Sequence, residues 1–233
     1  MVDIHTHVLP FVDDGSETYE ESFKMLECAV KDGVTHMVLT PHHRRTFVVK
    51  KEKLREEFIK FKAEVEKRNI PIKLFLGQEI HVAKNYKLKF ERDEVLSMND
   101  GKFILIEFYF YKDFDMIDVV YELTQKGYHV IVAHLERYSY ATLGDAVEIK
   151  RNNGFIQVNA ASILGKNGFS CKRFVYKLFE RGLVDFVASD VHSNRKYLMK
   201  KAYEKIKKKY GEDVADTVFI HNAKEIIEGW TVV

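Results

Sequence analysis

The sequence predicts a parallel α/β fold in a single domain, on three observations. Seven short runs rich in β-branched and aromatic residues alternate with segments whose apolar residues recur at helical spacing. The runs are mostly apolar throughout, as expected of parallel strands buried on both faces. No linker or shift in composition interrupts the 233 residues, so we expect one domain over 1–233. The alternation fits a closed barrel and an open doubly wound sheet equally well.

The predicted strands are short and end in polar residues. In chain order they are VDIHTH (2–7), HMVLTP (36–41), IKLFLGQE (72–79), FILIEF (103–108), HVIVAH (129–134), FIQVNA (155–160) and VDFVASD (184–190).

The predicted helices lie between these strands. Apolar residues share one face of the first two, over 17–33 and 51–69, and Gly33 ends the first. The remaining helices are expected over 114–126, 142–152, 170–181, 195–209 and 222–229, with Asn222 as the N-cap of the last.

Composition excludes several classes of protein. A formal charge of +2 gives no sign of nucleic-acid binding. Cys28 and Cys171 are far apart in the sequence, which argues against a disulfide framework, and neither has an arginine six residues later, as a thiol phosphatase would. No signal peptide and no apolar run of the ~18–20 residues that span a bilayer are visible. We therefore expect a cytoplasmic protein without membrane insertion.

Polar side chains stand at the carboxyl end of every predicted strand. Parallel α/β folds build their active sites at this end, so these residues are expected to converge. Imidazoles and carboxylates in one pocket indicate a polynuclear metal site. The candidates are His5, His7, Asp14, His42, Glu79, Glu107, His134, Asp190 and His192, with Asn159 at the end of the sixth strand.

Charge supports the same interpretation. Asp14, Glu79, Glu107 and Asp190 would repel one another in a single pocket unless cations were bound. Three divalent cations would leave a formal charge of about +2, which suits an anionic substrate such as a phosphate. Mixed imidazole and carboxylate ligands favour Mn, Fe or Zn over Ca.

The motifs HTH, TPHH, GQE, AHLERY and SDVH, in this order, resemble those of the PHP (polymerase and histidinol phosphatase) superfamily. The opening DIHTHVLPFVDDGSET, with LTPHH and HLERY, is closer still to its bacterial tyrosine-protein phosphatase branch, which acts on autokinases of capsule and exopolysaccharide synthesis. The resemblance covers about residues 1–228.

The resemblance implies a distorted (β/α)7 TIM-like barrel, the PHP fold, that holds three metal ions, with Mn the first expectation. The implied ligands of the first ion are His5, His7, Glu79 and Asp190. The second ion would share Glu79 and add Glu107 and His134, and the third would take Asp14, His42 and His192. The implied activity is hydrolysis of phosphotyrosine on a protein by attack of a metal-bound hydroxide, with a tyrosine autokinase as the implied substrate.

Two arginines are candidates for binding the phosphate. Arg137 and Arg195 each lie three residues after a candidate histidine ligand, and a guanidinium can bind phosphate through two parallel hydrogen bonds. Arg44 belongs to a basic stretch that could attract an acidic, phosphorylated peptide. Asn159 is predicted to bind substrate or to hydrogen-bond the backbone.

Other polar and aromatic residues are expected to serve structure. Asp13 is predicted to form a turn, and His43 to lie behind His42 or on the loop surface. His81 is left out of the site, and Tyr109 and Tyr111 are expected to pack.

Two other functions fit the same residues. A small-molecule phosphatase, such as histidinol-phosphate phosphatase, would keep the chemistry and change the substrate. A non-catalytic PHP module would serve structure in a larger assembly. The sequence does not indicate an oligomeric state.

Overall fold

The computed structural model describes residues 1–112 and 114–228. Its strands are all parallel and lie in a three-stranded and a six-stranded sheet that together curl into a barrel, with helices on the outside, which confirms the predicted α/β fold. The strands are β1 (Val2–Thr6), β2 (His36–Leu39), β3 (His42–His43), β4 (Lys73–Leu76), β5 (Glu79–His81), β6 (Phe103–Glu107), β7 (His129–Val132), β8 (Phe155–Asn159) and β9 (Phe186–Ala188).

The described residues form nine strands where seven were predicted, because β3 follows the end of the second predicted strand and the third predicted strand is broken between β4 and β5. Pro41 lies at the first break and has no N–H to continue the ladder. The pairing resumes beyond both breaks, where β3 lies beside β5 with His42 opposite Glu79. The Gly77 N–H donates to the Leu39 carbonyl at 2.9 Å and bridges the gap.

The first and last strands close the barrel. The Asp190 N–H donates to the His5 carbonyl at 2.9 Å, and the His7 N–H donates to the Val191 carbonyl at 3.0 Å. The register of β1 shifts between Asp3 and Thr6. Such irregularities re-aim side chains, and this one lies immediately at the histidines.

The barrel interior has an apolar layer below a polar one. Along β6, Phe103 and Leu105 belong to an apolar cluster and Glu107, two residues further on, belongs to the polar layer. Phe186 and Ala188 of β9 join the same cluster below Asp190. A larger cluster lies between the strands and the outer helices. The strands are therefore mostly apolar on both faces, with buried Asp3 and Gln157 as exceptions, and their polar site residues lie towards the carboxyl ends.

The bounds of the seven predicted helices differ from the observed ones by at most four residues. The helices are α1 (Tyr19–Lys31), α2 (Lys51–Lys67), α3 (Tyr86–Glu91), α4 (Met116–Gln125), α5 (Leu143–Arg151), α6 (Ala160–Ile163), α7 (Phe169–Glu180), α8 (Met199–Tyr210), α9 (Glu212–Asp216) and α10 (Asn222–Glu228). Thr18 caps α1, and Thr142 with Asp145 forms a capping box on α5. Residue 229, the last of the predicted final helix, lies outside the described residues. No helix in the described ranges is both long enough and apolar enough to cross a membrane.

Asn222 does not cap α10, so that prediction is wrong. A π-helical turn over Thr217–His221 joins α9 to α10, and Asn222 already has helical φ and ψ. Its side chain instead donates to the Asp185 carbonyl at 2.8 Å.

Candidate metal centre

All nine predicted metal ligands lie together at the carboxyl end of the barrel. Their ligand atoms form four overlapping groups, within each of which every pair of atoms is no more than 4.8 Å apart. Eight of the nine are buried, and Asp14 is exposed. The groups are His7, Asp14, His42 and His192; His5, His7 and Asp190; His5, Glu79 and His134; and His42, Glu79 and Glu107.

His5 and His7 converge as their spacing on β1 predicts. The Gln157 Oε1 accepts a hydrogen bond from the His134 backbone N–H at 2.9 Å, which fixes the orientation of the Gln157 amide. The same oxygen lies 3.0 Å from His5 Nδ1 and can only accept a hydrogen bond from it. His5 therefore carries its proton on Nδ1. Asp13 Oδ2 lies 2.7 Å from His7 Nδ1 and fixes that ring in the same way.

The remaining nitrogens of these two rings face each other. His5 Nε2 and His7 Nε2 are 3.3 Å apart. In the neutral tautomers set by Gln157 and Asp13, both nitrogens present lone pairs, which repel unless a proton or a metal ion lies between them. Burial would lower the pKa of His7, but Asp13 and Glu79 outweigh it and raise this pKa, so a proton takes that place when no metal is bound. Outer hydrogen bonds of this kind orient histidine ligands in metal sites.

His192, His42 and Asp14 form the outer edge of the cluster. His192 Nδ1 lies 3.2 Å from the Asp190 carbonyl, so Nε2 is the nitrogen free to face inward, 3.8 Å from Asp14 Oδ1. His42 Nε2 lies 3.4 Å from the same oxygen. Burial and the nearby His7 lower the pKa of His192 to about 3, which keeps this imidazole neutral.

Glu79 lies at the centre of the cluster. Its carboxylate is 2.9 Å from His134 Nε2, 2.8 Å from His42 Nδ1 and 3.3 Å from His5 Nε2. Burial would raise the pKa of Glu79, but His5 and His42 outweigh it and hold the pKa well below its usual value. The same carboxylate, with Asp190, raises the pKa of His5 against the effect of burial. Glu79 is thus an anion at neutral pH.

Asp190 is held by both predicted phosphate-binding arginines. Arg137 Nη1 donates to Asp190 Oδ2 at 2.9 Å, and Arg195 Nη1 donates to it at 3.1 Å and to the Asp190 carbonyl at 2.9 Å. The Arg137 guanidinium also stacks on Phe110, 4.4 Å from the ring centroid. Asp190 Oδ1 faces His5 and His7 at 3.8 and 3.6 Å.

The observed groups differ in part from each of the three implied ligand sets. Glu107 shares a group with His42 and Glu79, whereas His134 shares one with His5 and Glu79. Glu107 and His134 are therefore not brought together as a pair in this conformation. Of the first implied set, His5, His7 and Asp190 form a group without Glu79. The third implied set, Asp14, His42 and His192, reappears with His7 added.

Backbone strain also marks the cluster. His134 has φ of 33° and Asp190 has φ of 50°, both in the left-handed region that non-glycine residues seldom adopt. Gly15 passes so close to His7 that a Cβ there would lie 2.1 Å from the His7 carbonyl oxygen. The glycine of the DDG sequence therefore lets this turn pack against the histidine.

Four residues that the sequence interpretation assigned elsewhere, or did not consider, belong to the site. Asp13 forms the predicted turn by accepting the Gly15 N–H, and it also orients His7. Burial would raise its pKa, but His7 lowers it to about 2. Gln157 and Glu136 lie behind the ligands, where the Glu136 carboxylate accepts the Asn159 N–H at 2.9 Å. His81 Nδ1 lies 3.3 Å from Glu107 Oε1, so His81 faces the site, but it is in none of the four ligand groups and its exclusion as a ligand stays a prediction.

The two predicted substrate-binding residues have partners within the protein. Arg44 Nη2 donates to Asp14 Oδ2 at 2.6 Å. The Asn159 amide donates to Asp190 Oδ2 and accepts from Gln157 Nε2, both at 2.8 Å. Substrate binding by either stays a prediction.

Three further expectations have clear outcomes. His43 is buried behind His42 and contacts Lys89 Nζ at 3.2 Å. Tyr109 packs edge-on against His81 with centroids 4.4 Å apart. Tyr111 is 89% exposed, so the expectation that it packs is wrong.

The residues present fit bound cations. Five buried imidazole and carboxylate atoms that face the cluster have no hydrogen bond of standard geometry within the described ranges: His42 Nδ1, Glu79 Oε2, His81 Nδ1, Glu107 Oε1 and His134 Nδ1. His42 Nδ1 and Glu79 Oε2 lie 2.8 Å apart. Buried polar atoms are rarely left unsatisfied, and these are lone-pair donors of the type that Mn, Fe and Zn bind.

Comparison with known proteins agrees with this geometry. A family model described as "Capsular polysaccharide synthesis, CpsB/CapC" matches residues 1–228. The chain belongs to the CpsB/CapC family. It is 31% identical to the tyrosine-protein phosphatase YwqE of Bacillus subtilis over all of this chain and 93% of YwqE. It is 32% identical to the tyrosine-protein phosphatase CpsB of Streptococcus agalactiae serotype III, over 98% of both chains.

The fold of this CpsB/CapC family member also has a close match among solved structures. The matching structure belongs to a set described as crystal structures of YwqE from Bacillus subtilis and CpsB from Streptococcus pneumoniae, "unique metal-dependent tyrosine phosphatases". The match has a TM-score of 0.92 and 29% identity, and covers 100% of this chain and 96% of the other. The predicted resemblance to the tyrosine-protein phosphatase branch is confirmed.

Proposed function

We propose that this chain is a metal-dependent tyrosine-protein phosphatase. The observation that carries the proposal is the convergence of His5 Nε2 and His7 Nε2, 3.3 Å apart, beside the ionised Glu79. Such an arrangement is costly without a cation and suits a cation well. The relatives that match almost the whole chain are named tyrosine-protein phosphatases.

Three divalent ions are the proposed cofactor, with Mn first and Fe or Zn as alternatives. When bound, such ions supply an activated water nucleophile and stabilise the charge on the phosphoryl oxygens. The proposed ligands are the nine clustered residues, His5, His7, Asp14, His42, Glu79, Glu107, His134, Asp190 and His192. Glu79 lies within 3.4 Å of four imidazoles and is the residue best placed to be shared between ions.

The chain's own residues position these ligands and bind the substrate. Gln157 and Asp13 hold the Nδ1 protons of His5 and His7, so the Nε2 lone pairs stay directed into the site. Arg137 and Arg195 each use Nη1 on Asp190, and their side chains remain 26% and 45% exposed. The other N–H groups of both forks would bind the non-bridging oxygens of a phosphate. A phenolate, with a pKa near 10 when free, leaves without strong acid assistance.

The proposed substrate is a phosphotyrosine protein, and a tyrosine autokinase of polysaccharide synthesis is the specific candidate. The description of the matching family model names capsular polysaccharide synthesis, which supports a substrate from that process. A cytoplasmic location is proposed as well, and the unpaired Cys28 and Cys171 support it because disulfides are rare in a reducing compartment.

The test combines metal analysis with substrate comparison. The protein is stripped with a chelator, reloaded with Mn, Fe or Zn, and assayed on a phosphotyrosine peptide and on histidinol phosphate. We expect activity to disappear on chelation, return with a metal, and show a higher kcat/KM on the peptide. Glu107→Gln should be inactive, and Glu27→Gln, an exposed matched control on α1, should match wild type.

Each of the other outcomes contradicts a different part of the proposed function. A higher kcat/KM on histidinol phosphate would make the protein a small-molecule phosphatase. Full turnover in chelator would remove the metal mechanism. No turnover of either substrate by protein shown to hold metal would favour a non-catalytic module.

A further inference from the structure

A cavity of about 400 Å³ opens beside the metal centre, between the ends of β8 and β9. This volume lies within the range of small-ligand sites. Asn159 and Ser189 form its inner wall, and Arg195, Lys166 and Lys196 lie on its other sides.

The side chains that line this β8–β9 cavity give it a positive charge. Lys166 and Lys196 are exposed and form no ion pair within 1–112 and 114–228. Arg195 pairs only with Asp190 and keeps 45% of its side chain exposed. No aspartate or glutamate is among the lining residues.

The surrounding sequence reinforces this field. Residues 166–210 contain 13 Lys and Arg and 4 Asp and Glu, a formal charge of +9, in a chain whose total is +2. The rest of the chain is therefore −7. This asymmetry attracts anionic ligands to the side of the barrel that carries the cavity.

The cavity shares a wall with the reaction site. Arg195 and Asn159 line it, and both hydrogen-bond Asp190 Oδ2, at 3.1 and 2.8 Å. A substrate that places its phosphate on the metal-ligand cluster therefore passes directly beside the cavity. A small aryl phosphate has no group to place there, whereas a peptide has neighbouring side chains.

We propose that the β8–β9 cavity is a subsite for a second anionic group of the protein substrate, next to the phosphotyrosine that is hydrolysed. The group is a carboxylate of Asp or Glu, or a second phosphate, because either would pair with Lys166 and Lys196. This inference rests on the proposed phosphatase function and adds a preference for acidic or multiply phosphorylated segments.

The test measures substrate preference with four sets of peptides. Each carries one phosphotyrosine for hydrolysis; the first set has only neutral neighbours. The other three sets carry one additional residue, which is a glutamate, a glutamine as control, or a second phosphotyrosine. This residue is placed in turn at each of the four positions before and after the phosphotyrosine that is hydrolysed. Preference is kcat/KM for a variant peptide divided by kcat/KM for the neutral one. The variant is Lys166→Ala/Lys196→Ala, and Lys62→Ala/Lys177→Ala removes the same charge from exposed lysines outside the cavity.

We expect wild type to prefer an anionic group at one or two positions by about fivefold, the equivalent of about 1 kcal/mol. That preference should vanish in Lys166→Ala/Lys196→Ala and persist in the control variant. Whether glutamate or the second phosphotyrosine gives it identifies the source of the anion. Equal preference in wild type and Lys166→Ala/Lys196→Ala, or an equal loss in both double variants, would overturn the subsite. Absence of turnover on every peptide would instead overturn the proposed function.

Discussion

Gln157 offers the sharpest test of how the histidines are held. Its side chain is fully buried and joins three groups: the His134 backbone N–H, His5 Nδ1 and the Asn159 amide. Gln157→Leu keeps a similar volume and removes the polar atoms. The His134 backbone N–H and the His5 Nδ1–H then lose their acceptor. Because leucine has a similar volume, a cavity contributes little to the loss of stability.

The magnitude follows from those two donors. A buried donor left unsatisfied costs about 1–3 kcal/mol, so Gln157→Leu should lower the free energy of unfolding by about 2–6 kcal/mol. Small proteins have about 5–15 kcal/mol in total, so the loss is easily measured. His5 also loses the contact that fixes its tautomer, and this should weaken metal binding about 10- to 100-fold.

The assays are urea denaturation of chelated protein and calorimetric titration with Mn²⁺. Gln78→Leu is the matched control, because Gln78 is a buried glutamine whose Oε1 accepts one backbone N–H, that of Leu96, at 2.8 Å. It should cost about 1–3 kcal/mol of stability and leave Mn²⁺ affinity within a fewfold of wild type. Wild-type stability and Mn²⁺ affinity in Gln157→Leu would refute the assigned tautomer, and so would an equal loss of affinity in Gln78→Leu.

Three further predictions concern other contacts of the site. Asp13→Asn removes the carboxylate that orients His7 and should weaken Mn²⁺ binding about 10- to 100-fold; unchanged titration curves would show that Asp13 only forms the turn. Arg137→Ala should lower kcat/KM on phosphotyrosine peptides about 100-fold and Arg137→Lys by less, because lysine keeps the charge and loses the fork; wild-type kinetics in both would exclude a phosphate contact. Burial and Lys89 lower the pKa of His43 to about 4, below its unfolded value, so stability present above pH 6.5 is lost as pH falls towards 4. His43→Gln should reduce this loss by up to about 3 kcal/mol in urea denaturation at pH 6.5, 5.5 and 4.5, and parallel curves would contradict the assignment.

The sequence predicts the barrel and the convergence of ligands well because both depend on local pattern. Strand ends can be read from apolar runs, and parallel strands bring their carboxyl ends to one side. His5, Glu79 and Asp190 are found in this way although 185 positions separate the first from the last. The site's location thus follows from strand polarity alone.

The residues behind the ligands could not be assigned with the same confidence. Gln157 and Asn159 are two residues apart on β8, so their side chains lie on the same face of the strand. This spacing could have predicted that Gln157 faces the site. The contact of Asp13 with His7 depends on how the DDG turn folds back across β1, which no periodicity encodes. The meeting of Arg137 and Arg195 on Asp190 joins two separate loops and likewise needs the tertiary structure.

The short helices were missed for a related reason. α6 has four residues and α3 has six, too few for an apolar repeat to appear. They exist because neighbouring elements pack against them, and helices of this length are unstable alone.

The seam between β1 and β9 has a consequence for biosynthesis. A chain emerging from the ribosome presents His5 and His7 first, yet Asp190 and His192 arrive more than 180 residues later. The hydrogen bonds that join these segments also close the barrel. A partly translated chain therefore has only some of the metal ligands in place. Tight metal binding would then report that translation has passed His192 and that the barrel has folded.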